Sequence, residues 1–226
     1  VPDDDDSLTD LETHSCSSPS DVDESALPPA IEERPTRLMF SNINQRTDKQ
    51  HAILAAVNDP RYGRDCSVWA FVELAWHVAP ARTALESTGT NFVLGIGTLC
   101  DTPATKKSCG KVYSMLLTRS VLVNPKSHPS GFAVAARIDD RRIATVYAQH
   151  ELCITEISNL AAWLDANADI IAGDWNNASC PNLKANVMAR GFVSSMRTQG
   201  FTQPTFFHNV HGGASSIDDI LCRKTY

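Results

Sequence analysis

Residues 169–177 read DIIAGDWNN: an apolar run, a glycine, then a carboxylate and a carboxamide two residues apart. A short apolar run bounded by a turn signal is a buried strand. Residues i and i+2 at its end lie on one face, so Asp174 and Asn176 leave a core strand together. Gly-Asp is also an ordinary way to finish a strand, because glycine accepts unusual dihedrals and aspartate caps turns. The other strand ends decide between these readings.

RLMFSNIN (37–44) is a β-rich run that ends in Asn42 and Asn44. CSVWAFVEL (66–74) is a buried strand ending in Glu73, a carboxylate that is costly there unless paired or solvated. RIATVYAQ (142–149) supplies Tyr147, with His150 just beyond it. SSIDDILC supplies Asp218 and Asp219, which as neighbours face opposite sides of a strand. Helices are expected over 47–60, after Pro80, over 155–167 and over most of 181–200. Further strands are expected at 91–97, 111–120 and 131–138, a hairpin turn at 139–142, a short strand at PTFFH, and a polar loop with Lys106 and Lys107 at 101–110. Hairpins mixed with helices give an α/β sandwich rather than strict strand–helix alternation.

If these strand ends meet at one rim, they suit a hard divalent cation such as Mg²⁺. That ion takes one or two carboxylates and keeps waters for exchange.

In order along the chain, FSNIN, VWAFVEL, VYAQH, IAGDWN, PTF and SSIDDIL resemble the motifs of the endonuclease/exonuclease/phosphatase (deoxyribonuclease I-like) superfamily. The non-LTR retrotransposon and apurinic endonuclease branch is the most similar. The resemblance spans about residues 37–222, and GDWN is its most specific block. It implies a four-layer α/β sandwich of two packed mixed β-sheets flanked by helices. It also implies a Mg²⁺-dependent phosphodiesterase (Mn²⁺ substituting) that nicks DNA to leave a 3′-hydroxyl. In that scheme Glu73 is the metal carboxylate, with Asn44 beside it. Asp174 orients or deprotonates a water, and Asn176 holds a phosphate oxygen. Asn42 and Asp218 complete the catalytic set. Tyr147 contacts the scissile phosphate, with His150 as the alternative. Ser41, Val72 and Ser216 stand where the family commonly has Trp, Gln and Arg. The family's closing strand, which carries Ser-Asp-His, does not occur in this sequence. The expectation is a truncated domain or a degenerate copy that binds nucleic acid or protein without cleaving it. A phosphatase or phospholipase of the same superfamily is the other alternative, although GDWNNAS lacks the Arg of the inositol phosphatase form.

Charge is unevenly spread. Residues 1–36 hold eleven acidic residues against Arg34, a net −10, which leaves +4 for residues 37–226 out of −6 overall. The first segment, Ser/Pro-rich and acidic, reads as a disordered leader, and the mildly basic remainder fits a polyanion partner, DNA foremost. No apolar run is long enough to cross a membrane as a helix. Seven cysteines show no zinc spacing. Free thiols in a reducing, intracellular compartment (nuclear for a retrotransposon protein) are favoured, with Cys100 and Cys109 the pair that a secreted protein would bridge. Oligomeric state is not set by the sequence.

Overall fold

In the computed structural model of the protein, residues 37–43, 47–59, 67–176, 181–198, 200, 206–207, 214–215 and 218–224 are described. All of them lie in the unit Thr36–Tyr226.

Two mixed sheets form. The first runs β1 (Leu38–Asn42), β2 (Val68–His77), β4 (Lys111–Thr118), β3 (Asn91–Ile96), with β1 and β2 parallel and the other pairs antiparallel. The second runs β5 (Leu122–Ser127), β6 (Ala133–Ile138), β7 (Arg141–Tyr147), β8 (Ile170–Asp174), β12 (Asp218–Arg223), β9 (Phe192–Ser194), in which only β7 and β8 are parallel. Two short strands, β10 (Phe206–Phe207) and β11 (Ala214–Ser215), pair with each other. The parallel pairs need crossovers, which are α1 (Thr47–Asn58) and α4 (Ile154–Asn167). The remaining helices are α2 (Val78–Glu86), α3 (Pro103–Ser108), α5 (Pro181–Ala189) and α6 (Ser195–Thr198).

Three cores hold four layers. Val68, Ala70 and Leu116 of the first sheet meet Val134, Ala136, Ile138, Ile143 and Ala172 of the second. Trp69, Phe71, Met115 and Leu117 point outward onto Ile53 and Val57 of α1 and Ala81 and Leu85 of α2. Ala144, Val146, Ile171 and Leu221 meet Leu160 and Leu164 of α4 and Leu183 and Val187 of α5. Each Val, Leu, Ile, Met or Phe among them contributes about 1.5–3 kcal/mol by leaving water, and each Ala roughly 1 kcal/mol or less. Central strands are thus apolar on both faces, which is why VWAFV and DIIAG read as continuous runs. The four-layer α/β sandwich expected from the sequence is the observed architecture.

Local differences have physical causes. The segment 101–110 contains a helix, because Thr102 and Thr105 form a reciprocal capping box ahead of it. Leu122–Ser127 is a strand, exposed over most of its length. Its Pro125 and the positive φ of Asn124 (50°) break the alternation a strand normally shows, as an edge strand allows. Residues 192–194 form a strand inside a stretch expected to be helical, because Gly191 at φ 97° ends α5 and lets the chain turn to pair with β12. Cys100 and Cys109 are disulfide-bonded, with Cα atoms 5.9 Å apart, where free thiols were favoured. Cys153 and Cys222 are free. No helix among the described residues is long and apolar enough to cross a membrane.

Candidate active site at the rim between the two sheets

Three adjacent strands of the second sheet end in one row. Tyr147 on β7 is paired with Asp174 on β8, and Asp174 with Asp218 on β12. Paired residues share a face, and this is the face that buries Ile143 and Ala172 against the first sheet. The row therefore opens at the end of the gap between the sheets. Asp219, one residue on, faces the opposite side, toward α5.

Gly173 explains why the run ends Gly-Asp. A Cβ there would lie 2.5 Å from Val146 Cγ1 and 2.7 Å from the Val146 carbonyl oxygen. Only glycine lets β8 approach β7 closely enough to bring Asp174 level with Tyr147.

The first sheet supplies the facing groups. Asn42 ends β1, and its Nδ2 donates to Asp174 Oδ2 at 2.6 Å. Glu73 lies where β2 bulges: the register with β4 slips between Val72 and Trp76, and Glu73 and Ala75 take φ of 57° and 47°. Such a bulge re-aims a side chain at a cost of about 1–3 kcal/mol per strained residue. Glu73 Oε1 accepts the Tyr147 hydroxyl hydrogen at 3.1 Å. The other Asp174 oxygen, Oδ1, accepts the Asn176 backbone N–H at 2.9 Å. Asn176 bends back at φ 41° and gives one side-chain N–H to the Ala148 carbonyl at 2.8 Å.

The electrostatics follow from this packing. Burial pushes the Asp174 carboxyl up to about 7, helped by the negative charges of Asp218 and Glu73, while hydrogen bonds from Asn176 and Asn42 pull the other way. Burial, then the Glu73 charge, pushes the Tyr147 hydroxyl well above its ordinary range, so it stays protonated and can donate. Tyr113, whose ring is 6.0 Å from that of Tyr147, is shifted the same way by burial and by Glu73.

Asn42, Glu73, Tyr147, Asp174, Asn176 and Asp218 thus occupy one rim. Asn44 lies outside the described residues, as does Ser216. His150 is exposed, three residues past the buried Tyr147. Among the described residues no three of His, Cys, Asp and Glu are grouped closely enough to hold an ion by themselves. Lys107 is bound to Glu151 at 3.2 Å, on the turn that follows Tyr147. Sequence reasoning missed Tyr113, which reads as an ordinary strand residue, and Trp175, which is wholly buried between the two polar residues of the motif.

No protein-family model and no curated protein matches the chain. Solved structures do match. The Neisseria 3′ phosphatase NExo bound to product DNA hairpin has a TM-score of 0.64 at 14% identity, over 84% of this chain and 88% of that one. An AP endonuclease from Archaeoglobus fulgidus has a TM-score of 0.62 at 13% identity, over 84% and 87%. An endonuclease/exonuclease/phosphatase family protein from Leptotrichia buccalis has a TM-score of 0.54 at 11% identity, over 83% and 87%. The chain has the deoxyribonuclease I-like fold of the endonuclease/exonuclease/phosphatase superfamily.

Proposed function

We propose that this protein is a Mg²⁺-dependent phosphodiesterase that nicks DNA, of the retrotransposon endonuclease type. The observation that carries this reading is the bonded rim. Two strands from facing sheets hold Asp174 between Asn42 and Asn176, level with Tyr147 and Asp218. The neighbours named a 3′ phosphatase and an AP endonuclease support phosphate-ester chemistry on DNA.

The donor set suits a hard cation. Asp218 and Glu73 raise the proton affinity of Asp174, and a divalent ion relieves such crowding of carboxylates. Glu73 would hold it, with Asn44 beside it. When bound, the ion polarises the phosphoryl group and stabilises the departing oxyanion. Asp174, close to neutral in its affinity for a proton, orients a water and takes its proton. Asn42 fixes the Asp174 carboxylate. Asn176, with one side-chain N–H given to Ala148, keeps a second for a phosphate oxygen. Tyr147 stays protonated, and its single hydroxyl hydrogen, given to Glu73 in this structure, would turn to the scissile phosphate once Glu73 holds the ion, while Asp218 orients the row. His150, exposed, is the alternative phosphate contact. Lys106 and Lys107 on α3 are candidates for the DNA backbone.

The same reading takes residues 37–226 as the catalytic domain and residues 1–36 as an acidic leader. A second reading is a phosphomonoesterase on DNA ends, favoured by the 3′ phosphatase among the neighbours. The test is a supercoiled plasmid with Mg²⁺ or Mn²⁺, with EDTA as control, and polymerase extension of the products. Nicks with extendable 3′-hydroxyl ends are expected. Release of phosphate from 3′-phosphoryl ends without nicking would transfer the conclusion to the second reading. Retention of DNA with neither reaction would leave a binding domain.

A further inference from the structure

Beneath the rim, on the helix side of the second sheet, a charged pair is almost entirely buried. Lys184 of α5 and Asp219 of β12 are 2.6 Å apart, and their side chains are 12% and 5% exposed. Asp219 Oδ1 also accepts the Ser194 hydroxyl at 3.0 Å and its neighbour Ile220 N–H at 2.8 Å. Its backbone carbonyl accepts the Trp175 indole N–H at 3.1 Å. One residue therefore ties α5, β9 and β12 to the tryptophan that stands between Asp174 and Asn176.

Stability does not account for this arrangement. Taking both charges out of water costs several kcal/mol per ion, and an apolar pair of similar volume is commonly as stable. Leu183 and Val187 of the same helix are already wholly buried. The location accounts for it better. The Asp218–Asp174 pair is the last rung of the β12–β8 ladder, and terminal rungs open most readily. Asp219 is the next residue in, so a bond there closes the ladder next to the rung that carries the chemistry.

We infer that Lys184 and Asp219 are positioning residues: the pair clamps the end of β12 and the Trp175 ring, and so keeps Asp218 opposite Asp174. The inference rests on the proposed phosphodiesterase reading for its consequence in catalysis, but the clamp itself has a readout that needs no activity. Neither residue touches substrate, so loss of the clamp lowers kcat and leaves KM in place.

The test uses the full chain. Hydrogen exchange of the Trp175 indole N–H is followed by NMR, and nicking kinetics are measured in parallel, for wild type, Lys184→Met, Lys184→Arg and Asp219→Asn. Asp219→Asn keeps an acceptor for Ser194 and lets Lys184 turn to solvent, so it guards against a Lys184→Met chain that does not fold. Leu85→Ala, in the far core under α2, serves as a control for stability loss alone. Lys184→Met and Asp219→Asn are expected to exchange the indole proton at least tenfold faster and to lose about tenfold in kcat with KM within twofold. Lys184→Arg should restore both to within threefold, and Leu85→Ala should leave kcat unchanged. Unchanged exchange in Lys184→Met and Asp219→Asn would overturn the clamp. A fall in kcat no larger than that of Leu85→Ala would overturn its role in the site. A wild type that does not nick would remove the phosphodiesterase reading, and the exchange rates alone would then decide the clamp.

Discussion

Replacing Asp174 with Asn should make the protein more stable at pH 8 while removing its proposed chemistry. The wild-type carboxyl is moved from 3.8 to about 7 on folding, chiefly by burial at 1% exposure, with Asp218 and Glu73 adding to it. A carboxyl whose folded value lies above its unfolded value binds more protons in the native state. Its protonation therefore stabilises the fold below about pH 4, and that contribution is lost as pH rises toward about 7. The interval corresponds to about 4 kcal/mol. Asn is neutral like the protonated acid and likewise keeps a carbonyl acceptor beside a donor group, an NH2 in place of the acid's O–H, so the weakened bonds to Asn42 and Asn176 are largely contained in that figure. Urea denaturation in EDTA at pH 4, 6 and 8 checks this. The two proteins should coincide near pH 4, and the variant should gain on wild type up to about pH 7 and hold its lead beyond. A variant less stable than wild type at pH 8, or a difference that does not change with pH, would refute the reasoning.

Other outcomes follow from the same rim. Gly173→Ala must displace β7, because the new methyl meets the Val146 carbonyl and side chain; a loss of about 1–3 kcal/mol in urea denaturation is expected, with nicking falling further than in a core variant of equal stability. Tyr147→Phe removes the hydroxyl that Glu73 accepts and should lower kcat about 10²–10³-fold, the range for loss of a single preorganised donor, with the melting temperature little changed. Lys184→Met should speed exchange of the Trp175 indole proton at least tenfold.

Legibility in the sequence tracked how local the cause was. Asp174, Asp218 and Tyr147 could be placed because strands β7, β8 and β12 are short apolar runs with polar residues at their ends; period-2 alternation only put Asp218 and Asp219 on opposite faces, and the resemblance to the family's motifs chose Asp218 between them and Tyr147 over His150. The capping box of α3 was local too, but Pro-Ala-Thr-Lys-Lys-Ser is short and polar, and polarity outweighed it. The strand Leu122–Ser127 was hidden by Pro125 and by the left-handed Asn124, which an edge strand tolerates because one side of its backbone needs no partner. Glu73 was located by its buried run, yet its orientation depends on a bulge that only pairing with β4 creates. The Lys184–Asp219 pair joins residues far apart in the chain, and nothing near either one announces the other. The disulfide between Cys100 and Cys109 likewise depends on α3 bringing the ends of its segment together.

The most direct measurement is supercoiled-plasmid nicking with Mg²⁺ by the wild-type chain and by Asp174→Ala, with folding of both verified by circular dichroism. Deleting the carboxylate that Asn42 and Asn176 hold in place should lower the nicking rate at least ~10²-fold, the lower end of what a positioned acid or base contributes. Equal nicking by the two folded proteins would contradict the assignment of this rim as the active site.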